Sequence, residues 1–328
     1  SRDPDGSTHA FPGTLALTFE KVDDMRYGEN PHQQGAFYLE RNARAGSLSR
    51  AESLGAGGKE LSFNNLVDVD AALEAVREFE RPAAVVVKHT NPCGVAVAET
   101  LADAYVTARE ADSLSAFGGI VALNRSVDEA TAAKLKETFI ECVVAPGFSD
   151  EALELLRKKK NLRLLATGEW LAADHADITF KRIGGGLAVH ERDATGPGET
   201  RAGKVVTKRA PTDDEMAAMD FAWRVCKHVK SNAIVFAKKD RTVGVGAGQM
   251  SRVVAVELAS QKAGDLAKGA VMASDAFFPF PDGVEAAVKA GITAVVQPGG
   301  SKKDDEVIAA ADAAGIAMVM TGHRHFRH

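Results

Sequence analysis

The chain has 328 residues, 45% of them hydrophobic and 26% charged, which fits a globular protein of two domains or one duplicated unit. Its 40 basic and 45 acidic residues leave a net charge of −5, and aromatic residues make up only 6%. That excludes a global electrostatic footprint for nucleic acid and an aromatic platform for single strands, so nucleic acid is not an expected partner. The longest apolar runs, such as Ala83 to Val87, are far below the roughly 18 residues that span a bilayer, and a membrane partner is not expected either. The start of the chain lacks a charged region followed by an apolar stretch, as a signal peptide would have. The three cysteines, Cys93, Cys142 and Cys226, are odd in number and far apart, which favours a reducing, cytoplasmic compartment over a disulfide framework.

In chain order, residues 1 to about 20 read as a turn-rich tail or linker, with Asp3-Pro4-Asp5-Gly6-Ser7 at its centre. Asp68 is expected to cap a helix with Val69, Ala72, Leu73, Val76 and Phe79 on its apolar face, stopped by Pro82. Ala83 to Val87 predicts a buried strand. Ser126-Val127-Asp128-Glu129 and Thr212-Asp213-Asp214-Glu215 have the capping-box pattern, the second opening a helix through Trp223 towards Val229. Val143-Val144-Ala145, Ala233 to Ala237 and Val295-Val296 predict further buried strands. Strands alternating with helices predict an α/β fold.

A repeat is visible as well. Val143 to Ser149 and Val295 to Ser301 each run from an apolar pair through Pro-Gly into a helix. Ser115-Ala116-Phe117-Gly118 is matched with Ser274 to Phe278, and more loosely Lys88 to Asn91 with Lys230-Ser231-Asn232. The reading is two related halves, split near residue 200 in Thr195-Gly196-Pro197-Gly198.

Lys88-His89-Thr90-Asn91-Pro92-Cys93-Gly94 follows a buried strand at its C-terminal end, where open α/β sheets bind ligands. A Lys beside a His suits acid–base work, since the cation disfavours the imidazolium and leaves a neutral base. Pro92-Cys93 evokes a zinc deaminase, but no second thiolate follows at the required spacing, so no metal is expected. Gly244-Val245-Gly246-Ala247-Gly248 is off register for a dinucleotide loop and reads equally as a tight strand-to-helix turn, with Arg252 four residues on as a candidate anion contact. Arg26 to Gln33 is a polar loop, either an exposed linker or a ligand loop.

These segments, with Leu61-Ser62-Phe63-Asn64-Asn65, Gly246 to Arg252, Ser274 to Phe280 and Arg324 to His328, resemble in order the aminoimidazole carboxamide ribonucleotide (AICAR) transformylase family of purine biosynthesis over about residues 20 to 328. The resemblance implies formyl transfer from 10-formyltetrahydrofolate, as co-substrate, to the 5-amino group of AICAR, without a catalytic metal. It implies two tandem cytidine-deaminase-like α/β halves, 21–200 and 201–328. It also implies a homodimer with the active site at its interface, and an inosinate cyclohydrolase domain ahead of residues 1–20 that this chain does not contain. Position by position, it makes His89 the general base, Lys88 an electrostatic aid and Asn232 an orienting group. Arg26, Tyr27, Gly118, Glu141, Arg252 and Arg324 would hold the nucleotide. Val253, Phe277, Pro279, Asp282, Gln297 and Pro298 would line the folate side. Glu141 stands where some members have Asp, and Pro281 where many have Arg. Two other readings are open: a deaminase-related hydrolase, and a nucleotide-binding or dimerisation module without activity.

Overall fold

The computed structural model describes residues 11–328, so the first ten residues of the expected linker lie outside it. The first strand, Phe19–Met25, is paired antiparallel with Gly35–Glu40.

The centre of the molecule is built from two runs of elements in the same order. The first run is α1 (Phe63–Val76), β1 (Ala83–Lys88), β2 (Asn91–Val97), α2 (Leu101–Glu110), β3 (Gly119–Leu123), α3 (Glu129–Lys136), β4 (Ile140–Ala145), α4 (Asp150–Leu156) and β5 (Arg163–Ala166). The second is α5 (Asp213–Cys226), β6 (Ile234–Lys238), β7 (Arg241–Gly246), α6 (Arg252–Ala263), β8 (Val271–Ser274), α7 (Asp282–Ala290), β9 (Ala294–Gln297), α8 (Asp304–Ala313) and β10 (Ala317–Met320). All ten strands join one mixed sheet in the order β10-β9-β8-β6-β7-β2-β1-β3-β4-β5. The two runs meet where β7 pairs antiparallel with β2, Arg241 opposite Ala96.

Several helix boundaries are set by polar side chains. Helix α1 begins at Phe63, ahead of the expected Asp68 cap, because Ser62 and Asn65 exchange side-chain and backbone hydrogen bonds in a capping box. It ends at Val76, short of Pro82. Helix α3 is capped by Asp128 rather than Ser126, the Asp128 carboxylate accepting from Thr131 N at 2.8 Å. Helix α5 has the expected Thr212–Glu215 capping box and ends at Cys226, before Val229.

The strands are apolar on both faces, as a sheet covered by helices on both sides requires. Val85 and Val87 face one core and Ala84 and Val86 the other. On the first face α1 and α5 share one core across both runs, with the Phe79 and Phe221 rings 5.2 Å apart. On the opposite face each run has its own core. Among the described residues no helix is long and apolar enough to cross a membrane.

Of the three expected repeat matches, one falls at equivalent places. Val121 pairs with Val143 as Met272 pairs with Val295, so the two Pro-Gly turns that follow are equivalent. The other two are not. Ser115–Gly118 precedes β3 whereas Ser274–Phe278 ends β8 and follows it. The counterpart of the Lys88–Asn91 turn is Lys238–Arg241, not Lys230–Asn232.

Candidate active site

Strands β1 and β2 are joined by two residues, with Lys88 paired to Asn91. His89 and Thr90 therefore occupy the centre of a tight hairpin turn, with φ of 50° and 63°. That backbone is the mirror-image turn whose twist matches a hairpin, and it favours Gly or Asn. Asp68 holds it in place, its Oδ1 accepting from Thr90 N at 2.6 Å, while Asn91 Nδ2 donates to His89 O at 3.0 Å. The result is a His89 side chain presented to solvent. Burial raises the Asp68 carboxyl pKa, partly countered by the Thr90 amide and by the neighbouring His89 and Lys88. Sequence reasoning read Asp68 as a helix cap; it lies inside α1 instead, beneath the turn.

Lys88 Nζ is fixed by the carbonyls of Gly118 at 2.9 Å and Phe117 at 3.3 Å. Gly118 has a φ of 66°, which strains any side chain there, and a Cβ would sit tightly, 3.3 Å from the Phe139 ring and 3.4 Å from Lys88 Nζ. Phe139 borders a cavity of about 540 Å³ whose wall also includes Arg26, Tyr27 and Glu141. Arg26 lies over the Tyr27 ring at 4.9 Å and donates to its hydroxyl at 3.2 Å. Their loop is tied to α1 by Asn64 Nδ2, which donates to Glu29 O at 3.1 Å. Glu141 accepts from Asn65 Nδ2 at 3.0 Å and pairs with Arg163 at 3.5 Å. Lys59, Lys159 and Lys160 add positive charge to the wall, which suits an anionic ligand.

On the other side of the turn, Asn91 Oδ1 accepts from Lys230 N at 2.9 Å, bringing Ser231 and Asn232 alongside. Arg252 is buried. Its guanidinium donates to Asn232 Oδ1 at 2.7 Å, Ser274 Oγ at 2.9 Å and Asp275 Oδ1 at 2.5 Å. These bonds fix the amide of Asn232, which also donates to Met250 O at 3.2 Å.

The residues expected on the folate side divide in two. Val253 is half-buried, and Phe277, Pro279 and Asp282 are exposed, around the N-terminal ends of α6 and α7. Gln297 and Pro298 are buried, with the Gln297 amide turned inward to Met318 Sδ at 3.5 Å and accepting from Gly299 N at 3.0 Å. Arg324 is exposed outside the cavity wall, its guanidinium 4.3 Å over the Phe326 ring. Backbone hydrogen bonds link these parts, since Thr321 N and Gly322 N donate to Gln297 O and Pro298 O, and His325 N to Asp275 O. All lie along one edge of the sheet.

Gly244 and Gly246 do not form a nucleotide loop. They lie in β7, and Cβ atoms there would come within 2.2 Å of Ala259 O and 1.9 Å of Ala255 O, so they let α6 pack against the strand. Cys93 points inward, its thiol donating to Val86 O at 3.4 Å, and burial pushes its pKa up to about 12. Among the described residues no group of three or more His, Cys, Asp or Glu is placed to hold a metal.

A family model described as "AICARFT/IMPCHase bienzyme" matches residues 3–262. A bifunctional purine biosynthesis protein PurH of Sorangium cellulosum (strain So ce56) is 71% identical over 319 residues, 97% of this chain and 61% of that protein. Proteins of the same name from Thermoanaerobacter sp. (strain X514) and Myxococcus xanthus (strain DK1622) are each 55% identical, over 97% of this chain and 61% and 62% of their own lengths. The chain thus spans about three fifths of these curated relatives.

Proposed function

The chain belongs to the AICARFT/IMPCHase bienzyme family, and from that premise we propose that it is an AICAR transformylase. The reaction moves the formyl group of 10-formyltetrahydrofolate to the 5-amino group of AICAR: a new C–N bond forms, the bond to the folate nitrogen breaks, and the amine's proton is transferred to that nitrogen. The observation that carries this reading is the His89 turn, set between the cavity bearing Arg26, Tyr27 and Glu141 and the fixed amide of Asn232.

The AICAR amine is conjugated with its ring and carboxamide and is a weak nucleophile. His89 takes its proton, Lys88 offsets charge developing on the formyl oxygen, and Asn232 orients the nucleotide. Because Lys88 is already held by two carbonyls, little reorganisation accompanies that help. Arg26, Tyr27 and Gly118 hold the nucleotide, and Arg324 approaches it from the C-terminal segment, arginines suiting its phosphate. Arg252 acts through Asn232. Glu141 offers the nucleotide a carboxylate already shared with Asn65 and Arg163. Phe277, Pro279, Asp282 and Val253 form the folate side, with Gln297 and Pro298 supporting it from beneath.

A homodimer with the site at its interface is part of the proposal, supported by the open apolar rim of Phe117 at 64% exposure and Met250 at 100%. So are two cytidine-deaminase-like halves, 21–200 and 201–328, supported by the recurring element order, and a cytoplasmic location, supported by three free buried cysteines. The test is tetrahydrofolate release, followed by absorbance with AICAR present and absent. His89→Ala is expected to lower turnover by about 100-fold or more with an unchanged circular dichroism spectrum. Near-normal turnover would remove His89 as the base.

A further inference from the structure

The C-terminal segment is fastened by one buried imidazole. His325 is 3% exposed and lies between two carboxylates, Nδ1 at 2.6 Å from Asp193 Oδ2 and Nε2 at 2.8 Å from Glu199 Oε2. A ring with an acceptor at each nitrogen is satisfied only as the imidazolium, which has two N–H donors. Trp223 closes the pocket, its ring edge-on to His325 with centroids 5.1 Å apart and its Nε1 donating to the same Glu199 oxygen at 2.9 Å. Asp193 and Glu199 belong to the connection between the two runs of elements, outside the cavity wall. The fastened segment bears Arg324 on one side of His325. On the other, Arg327 N donates to Ser231 Oγ at 3.0 Å, beside Asn232.

We propose that His325 is a positioning residue: clamped as an imidazolium between Asp193 and Glu199, it holds the C-terminal segment so that Arg324 is set for the phosphate of a bound nucleotide, an inference that rests on the transformylase reading. Other charged groups nearby are His323, 3.9 Å from Glu199 Oε1, Lys227, bonded to Thr195 O, Arg327, and the Asp275–Arg252 pair beneath the His325 amide. Burial alone lowers the pKa of His325, but its hydrogen bonds to Asp193 and Glu199 outweigh burial and raise it above 6.5. The clamp is therefore complete below about 6.5, the unfolded value, and weakens as pH rises through the raised one.

The test uses the whole chain and two variants. His325→Phe keeps a ring against Trp223 and removes both N–H groups. Asp193→Asn weakens one arm at a side chain already 42% exposed, so it serves where the first fails to fold. Two quantities are read: release of C-terminal residues by carboxypeptidase without substrate, and the AICAR KM against kcat. Loss of charged hydrogen bonds from Arg324 predicts an AICAR KM raised about 10-fold or more, with kcat and the folate KM within about twofold and release about 10-fold faster. In the unaltered chain the AICAR KM rises as pH climbs through the raised His325 pKa; in His325→Phe it lacks that rise. Release and KM both unchanged would overturn the clamp, and faster release with an unchanged KM would overturn the positioning role. A native chain that transfers no formyl group would sink the function and the positioning role with it, and the release rates separate that failure from failure of the clamp.

Discussion

Replacing Asp68 tests whether a carboxylate beneath the hairpin, rather than the hairpin alone, presents His89. Thr90 sits at a φ of 63°, where a β-branched residue is a conformational outlier costing about 1–3 kcal/mol. The Thr90 N–H bond to Asp68 Oδ1, at 2.6 Å, is charge-assisted and contributes about 1.5–3 kcal/mol, enough to offset the strain at that residue. Without it the native turn is disfavoured by about 2 kcal/mol, and the fraction of molecules presenting His89 falls by about 10- to 30-fold. Asp68→Ala should therefore lower kcat/KM by about that factor in the tetrahydrofolate-release assay, with the melting temperature little changed because α1 keeps its buried face. Asp68→Asn retains an acceptor and should lose less. Adding Thr90→Gly to Asp68→Ala removes the strain and should recover much of the activity. An alanine variant within threefold of the native chain, or a double variant no better than the single, would refute the reasoning.

Three further predictions concern the frame. Gly94 faces α2 so closely that a Cβ would lie 1.8 Å from Ala108 O, so Gly94→Ala must displace that helix and should cost about 3 kcal/mol or more in denaturant unfolding. Gly184→Ala, with nothing within 4 Å of the new atom, should stay within about 0.5 kcal/mol. Glu215 is pulled up by burial but held down to about 2 by Arg209, with two bonds of 2.9 Å, and by Thr212 N. Its contribution is present above about 4.5 and lost as pH falls towards 2, so Glu215→Gln should show a flatter acid limb in unfolding followed by circular dichroism.

Periodicity and punctuation made the strands legible, because runs such as Ala83 to Val87 are buried on both faces and carry no competing polar signal. Of the three expected helix starts one was legible: Thr212 caps α5 in the expected box, whereas Ser62 with Asn65 opens α1 ahead of Asp68, and Asp128 caps α3 in place of Ser126. The site divided in the same way. Lys88, His89 and Asn232, which the resemblance names, each adjoin a strand end, and the fold brings them to a common edge. What the sequence withheld was which charges are already paired: Arg252 reads as a free cation until Asp275, 23 residues away, is seen beneath it. Asp193 and Glu199 carry no motif, and only the return of the C-terminal segment brings His325 between them.

The placement of the site on one edge follows from how the two runs are joined. Antiparallel pairing of β7 with β2 turns equivalent ends of the runs to opposite edges of the sheet. Equivalence is exact at one backbone bond: Asn124 N donates to Ala83 O as Asp275 N donates to Ala233 O. The side chains then diverge. Asn124 closes its own connection, accepting from Ala83 N at 2.8 Å and donating to Phe79 O and Arg81 O at 2.7 Å. An amide has both donors and acceptors, so it satisfies that backbone and leaves nothing over. Asp275, a carboxylate with no exposure, can only accept; it requires a cation, and Arg252 supplies one. Because a guanidinium has more donors than one carboxylate can take, the surplus reaches Asn232 and fixes it beside the His89 turn. The difference between an amide and a carboxylate at the end of equivalent strands thus separates an edge occupied with its own closure from the edge that carries the candidate site.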